Sequence, residues 1–138
     1  MTTKINDDKI EIDEITAYFF DAFTNTDNKT PNFESIRELF IEEGLIVNNT
    51  AGESQIYNLE SFIKPRKEIL TNGTLTNFRE KEISSNTEIY RNIAQRISVY
   101  EKSGELNSNH FEKKGIKFIQ FIKSGEKWRI TSVTWDDE

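Results

Sequence analysis

The 138-residue chain contains no cysteine. That excludes disulfides, a cysteine nucleophile and cysteine-ligated zinc. It has one histidine, His110, within a polar stretch, a poor start for a transition-metal site, so no metal site is expected. Glycine-rich phosphate loops, nucleophile elbows and calcium-loop spacings are also missing, and no cofactor is expected. Basic residues are outnumbered, 18 against 24 acidic, for a net charge of −6, and the densest basic run is the pair Lys113–Lys114. An acidic chain without a basic stripe is poorly suited to a phosphate backbone, so no nucleic-acid partner is expected. No apolar run approaches the ~20 residues that span a bilayer, and the N-terminal sequence lacks the apolar core of a signal peptide. The expectation is a protein of the cytoplasm with no membrane partner.

What is present is periodicity. Phenylalanine dominates the aromatics with ten copies, most of them in periodic segments. After a polar segment 1–8, expected to be flexible, residues 9–138 read as a single domain. Ile12, Ile15, Tyr18, Phe19, Ala22 and Phe23 mark one face of a helix over 9–25. Thr30–Pro31 reads as the start of a short second helix with Phe33, Ile36, Leu39 and Phe40 inward, ended by Gly44. Leu45–Val47 and Gln55–Tyr57 read as short strands. A third helix carries Leu59, Phe62, Ile63, Ile69 and Leu70; Pro65 is expected to start or kink it, and Asn72–Gly73 to close it.

From Leu75 the period changes to two. Segment 76–90 reads as a polar-alternating strand, interrupted near Ser84–Asn86. The next strand, 92–101, has Ile93, Gln95, Ile97 and Val99 on one face and Asn92, Arg96, Ser98 and Tyr100 on the other. A polar loop is expected over 102–114. Strands 116–123 and 127–136 then form a hairpin about Ser124–Gly125. Helices followed by a meander imply an α+β domain, with helices on one face of a curved antiparallel sheet.

Four segments in this order, FIKPRKEILTNGTL (62–75), FREKE (78–82), NIAQRISVYE (92–101) and GIKFIQFIKSGEKWRITSVTW (115–135), carry a family likeness. The chain resembles the nuclear transport factor 2-like superfamily, which includes ketosteroid isomerases and SnoaL-like cyclases, and within it an uncharacterised bacterial group. The likeness covers about residues 8–136. It implies a cone-shaped, cystatin-like α+β roll of three N-terminal helices on a strongly curved antiparallel sheet, an internal pocket, and homodimerisation through the outer sheet face. It implies no activity, because the superfamily hosts enzymes, binding proteins and assembly modules. Where it would place a histidine in the 92–101 strand, this chain has Gln95.

Within that frame the candidate ligand-binding residues are Tyr18, Gln95, Gln120 and Trp135. Each has a structural alternative: the two amides as satisfied core groups, Tyr18 and Trp135 as core or interface aromatics. Glu80 and Glu82 share a face with Phe78, so both are weak candidates for a catalytic base if that face is concave. Arg79 and Lys81 lie opposite with Ile83, and a salt-bridged edge is the competing reading. A binding domain for a small apolar or amphipathic molecule therefore ranks ahead of a cofactor-free isomerase, dehydratase or cyclase. A dimeric interaction module with a filled core is the third reading.

Overall fold

In the computed structural model, residues 2–138 are described, with side chains from Asp7 onward. Helix α1 spans Thr2–Asp21 and buries Ile12, Ile15 and Phe19 of the stripe that the periodicity marks, together with Phe20; Tyr18 of that stripe is exposed, and the helix stops short of residue 25, leaving Ala22 and Phe23 buried just beyond its end. It begins earlier than the apolar pattern suggests. Asp8, within the segment expected to be flexible, is buried and accepts hydrogen bonds from Trp128 Nε1 and Lys123 Nζ, both at 2.9 Å. Met1 lies outside the described residues.

Helix α2 is only Ser35–Leu39. The chain becomes extended at Phe40, and strand β1 runs Phe40–Asn48, so Gly44 lies inside a strand and ends no helix. Its missing side chain has a packing reason: a Cβ there would sit 2.7 Å from Phe40 Cδ2. Strand β2, Gln55–Tyr57, returns antiparallel to β1. Helix α3 then runs Leu59–Thr71 straight through Pro65. Its start is fixed by a capping box in which Asn58 Oδ1 accepts from the Ser61 backbone N–H and Ser61 Oγ accepts from the Asn58 backbone N–H. Burial of Leu59, Phe62 and Ile63 anchors the turn ahead of the proline.

Strands β3 (Leu75–Tyr90), β4 (Ile93–Leu106), β5 (Asn109–Ser124) and β6 (Lys127–Asp137) are long and joined by tight turns. β3 is continuous, and its expected interruption is a register irregularity between Glu82 and Ser84. The polar loop expected over 102–114 is instead hairpin. β4 and β5 pair as far as Leu106–Asn109, because Asn107 and Ser108 both take positive φ and complete a two-residue turn. Buried Gly104 pairs with Phe111 in this extension.

The six strands form one sheet in the order β2-β1-β6-β5-β4-β3. It is mixed and not wholly antiparallel, because β1 runs parallel to β6, with Ile46 beside Val133 and Asn48 beside Trp135. The helices cover one face. Between them and the sheet lies a core that includes Phe19, Phe23, Phe40, Phe62, Ile119, Phe121, Trp128 and Val133. No described helix is long and apolar enough to cross a membrane.

The face of β4 turned toward the helices is the opposite of the one its composition suggests. Ala94, Arg96, Ser98 and Tyr100 are buried there, whereas Ile93 is exposed and Ile97 and Val99 only half-buried on the outside. The polar residues are accommodated because they pair. Arg96 bonds Glu82 and, through Nη1, Asp13 of α1 at 2.6 Å, while Ser98 Oγ donates to Glu82.

A cavity walled by a buried lysine and an unpaired arginine

A cavity of about 340 Å³ opens between α1, α3 and the sheet, and its walls are mostly apolar: Phe19, Phe23, Ile69, Leu75, Phe78 and Phe111 among others. Five polar side chains, Asn48, Arg66, Glu80, Lys102 and Lys117, enter the same wall. A volume near the lower end of the ~300–1,000 Å³ range of ligand pockets suits a compact molecule.

Lys117 stands at an inward register position of β5, opposite Trp135. It is 3% exposed. Its Nζ lies 2.9 Å from Glu80 Oε1, 4.0 Å from the Tyr100 ring centroid and 4.4 Å from that of Trp135. Burial pulls its ammonium below the ordinary lysine range, and the charge and hydrogen bond of Glu80 oppose that. Lys102 is held by Asp137 at 2.7 Å. Burial alone would raise the Asp137 carboxyl, but the hydrogen bonds from Lys102 and Tyr100 outweigh it and leave it below the usual carboxylate range. The Tyr100 hydroxyl donates to Asp137, and burial with that bond drives its pKa far above an ordinary phenol. Gly115 makes room for this contact, since a Cβ there would lie 2.7 Å from the Tyr100 hydroxyl.

Arg66 is different. Its guanidinium carbon sits 3.7 Å from the Phe62 ring centroid and 5.1 Å from that of Tyr57. Nη1 donates to the Phe62 carbonyl at 3.3 Å. No carboxylate among the described residues forms an ion pair with it. Burial lowers its pKa from the ordinary arginine value, a trend the Tyr57 phenol and Glu80 charge oppose.

The residues singled out from the sequence are dispersed. Trp135 is buried and lines the cavity, and Glu80 lines it too. Glu82 faces inward but belongs to a separate, more open groove between α1 and β3, where Arg96 and Ser98 occupy its oxygens. Three candidates are corrected. Tyr18 is 61% exposed on the outer side of α1. Gln95 is on the outer sheet face, where its Nε2 donates to Glu88, and Gln120, its register partner on β5, is exposed on that same face. Their amides need no buried partners because the strand faces are reversed relative to the expected assignment. Position 95 therefore does not reach the cavity, and glutamine in place of histidine there leaves the cavity wall untouched.

Sequence reasoning passed over Arg66, Lys102 and Lys117. Lys117 had a signal: it alternates with Ile116 and Phe118 and so shares a face with Ile119 and Phe121, an apolar row in which a lysine is out of place. Arg66 and Lys102 had none. Among the described residues no group of histidine, aspartate or glutamate is arranged to hold a metal ion.

No protein-family model matches the sequence. No curated protein matches it either. Solved structures do match. A protein from Kribbella flavida superposes with a TM-score of 0.80 at 13% identity, covering 97% of this chain and 93% of that one. A nuclear transport factor 2-like superfamily protein from Salmonella enterica gives a TM-score of 0.75 at 15% identity, with 98% and 92% covered. An uncharacterised protein with a cystatin-like fold from Caulobacter vibrioides gives 0.70 at 11%, with 94% and 89% covered. The chain has the nuclear transport factor 2-like, cystatin-like α+β fold.

Proposed function

We propose that the protein binds a small apolar or amphipathic molecule in the cavity between the helices and the sheet, and does so as a homodimer. The observation that carries the binding reading is the cavity itself: an apolar chamber of about 340 Å³ with a few polar groups converging on it. An uncharged environment-sensitive dye, Nile red, tests it. Saturable fluorescence enhancement is expected, together with its loss in Ile69→Trp, which fills the cavity. Absence of saturable binding overturns the reading.

The dimer reading rests on the outer sheet face. Ile116 and Phe118 are exposed there, and the register sets Ile97 beside Phe118 and Val99 beside Ile116, so these side chains form one patch on adjacent strands, with exposed Ile93 beyond the Gln95–Gln120 pair. A second copy of the same face is its occupant. Light scattering at micromolar concentration should give twice the 16.1 kDa chain mass, and Phe118→Glu should return the monomer. A monomeric mass for the unaltered protein refutes it.

A catalytic reading stands second, favoured by one observation: the Glu80 carboxylate reaches the cavity wall. Such a base would act on a proton of the bound molecule, and Lys117 beside it would stabilise the negative charge that develops.

A further inference from the structure

We propose that the molecule held in the cavity is an organic monocarboxylate, its carboxylate paired with Arg66 and its apolar or aromatic body lying among Phe19, Phe23, Ile69, Leu75, Phe78 and Phe111. The inference rests on the cavity-binding reading and adds the chemical class of the ligand.

The cavity wall carries three cations, and two are already neutralised. Lys117 has Glu80, and Lys102 has Asp137. Among the described residues, Arg66 alone of the three forms no ion pair with a carboxylate. Among the described residues the guanidinium bonds the Phe62 carbonyl and the Tyr57 hydroxyl, which leaves most of its five N–H donors without a protein acceptor. No buried side-chain nitrogen or oxygen among the described residues lacks a partner, so the remaining donors open onto accessible space. Arg66 is also fixed in place. The Phe62 and Tyr57 rings pack against it, so little side-chain freedom is left to lose when an acceptor arrives. A planar fork held over an aromatic ring suits the two oxygens of a carboxylate.

The charge count selects the ligand further. One uncompensated cation matches one negative charge. Glu80 in the same wall disfavours a dianion such as a phosphate monoester, and the dominance of apolar lining disfavours a small hydrophilic anion. The chamber takes a one-ring or short acyl body.

The test compares 4-phenylbutyrate with its uncharged amide by titration calorimetry at pH 7, on the unaltered protein, Arg66→Met and Arg66→Lys. A charge-assisted bond in a sheltered site corresponds to about a ten- to hundredfold preference. The acid is expected to bind more tightly than the amide by that factor. The preference should vanish in Arg66→Met and survive in part in Arg66→Lys. Phenyl phosphate should bind more weakly than the carboxylate. Equal affinity for acid and amide, or a preference that persists in Arg66→Met, overturns the carboxylate assignment while leaving cavity binding intact. If neither compound binds and Nile red also fails, both readings fall. The acid-to-amide ratio of the unaltered protein is decisive without the variants, so a variant that does not fold leaves the test standing.

Discussion

Replacing Glu80 with glutamine keeps the shape of the side chain and removes the charge that faces Lys117. The ammonium is 3% exposed and 2.9 Å from the Glu80 carboxylate, so the substitution leaves a cation in the interior with aromatic rings as its main compensation. Breaking a buried pair from one side typically costs ~3–5 kcal/mol. With an unfolding entropy near 2.1 cal/mol/K per residue, 138 residues lose about 3.4 °C of Tm per kcal/mol, so Glu80→Gln should melt about 10–17 °C below the unaltered protein at pH 7. The pH dependence identifies the cause. Burial already sets the folded-state pKa of Lys117 below its ordinary value, and loss of Glu80 lowers it further. Between that lowered value and the unfolded lysine value of ~10.4, the unfolded chain holds more protons, so stability rises with pH. The deficit of Glu80→Gln should therefore shrink as pH climbs toward 10. Glu80→Gln combined with Lys117→Met removes both charges and should recover most of the loss, since a buried pair exchanged for apolar packing is often neutral. Thermal melts followed by circular dichroism at pH 7 and 9.5 read all of this. A Glu80→Gln protein within about 1 kcal/mol of the original at pH 7, or a double variant no more stable than the single one, would refute the reasoning.

Two further outcomes are expected. Gly115→Ala places a Cβ 2.5 Å from the Asp136 carbonyl oxygen and 2.7 Å from the Tyr100 hydroxyl, so it should destabilise by about 1–3 kcal/mol, read as a lower urea midpoint at unchanged slope. Asp13 and Asp137 are both held below the usual carboxylate range, Asp13 because the Arg96 and Lys9 hydrogen bonds outweigh its burial. Their contribution is complete above the unfolded aspartate value of ~3.9 and is lost as pH falls through the lower folded values. The urea midpoint should therefore drop steeply below pH 4, and less steeply in Asp13→Asn; identical acid profiles for the two proteins would remove Asp13 from the account.

The elements with one buried face were legible in the sequence. Ile12, Ile15 and Phe19 define α1 whatever packs on them, and the meander follows from the change of period at Leu75. The facing of β4 was not legible. Alternation separates Ile93, Gln95, Ile97 and Val99 from Arg96, Ser98 and Tyr100, but it does not say which set turns inward. That depends on Asp13 and Glu82, which make Arg96 the buried side and are distant in sequence. The same reversal moved Gln95 and Gln120 out of the cavity and brought Lys117 in. The parallel pairing of β1 with β6 was hidden for a related reason: nothing local in Leu45–Val47 marks its partner. Pro65 misled because its helix is specified by the Asn58–Ser61 cap and by burial on one side.

The place of β6 in the sheet bears on how the protein is made. It lies between β5 and β1, so the last strand of the chain is an interior strand, and β1 and β2 meet the rest of the sheet only through it. During synthesis the hairpins of β3, β4 and β5 can form as they emerge, while β1 waits some eighty residues for its neighbour. A ribosome that stalls before Lys127 releases a chain in which β1 and β5 add two bare strand edges to those that β2 and β3 already present, and such a chain is a substrate for chaperones and not a shortened version of the domain.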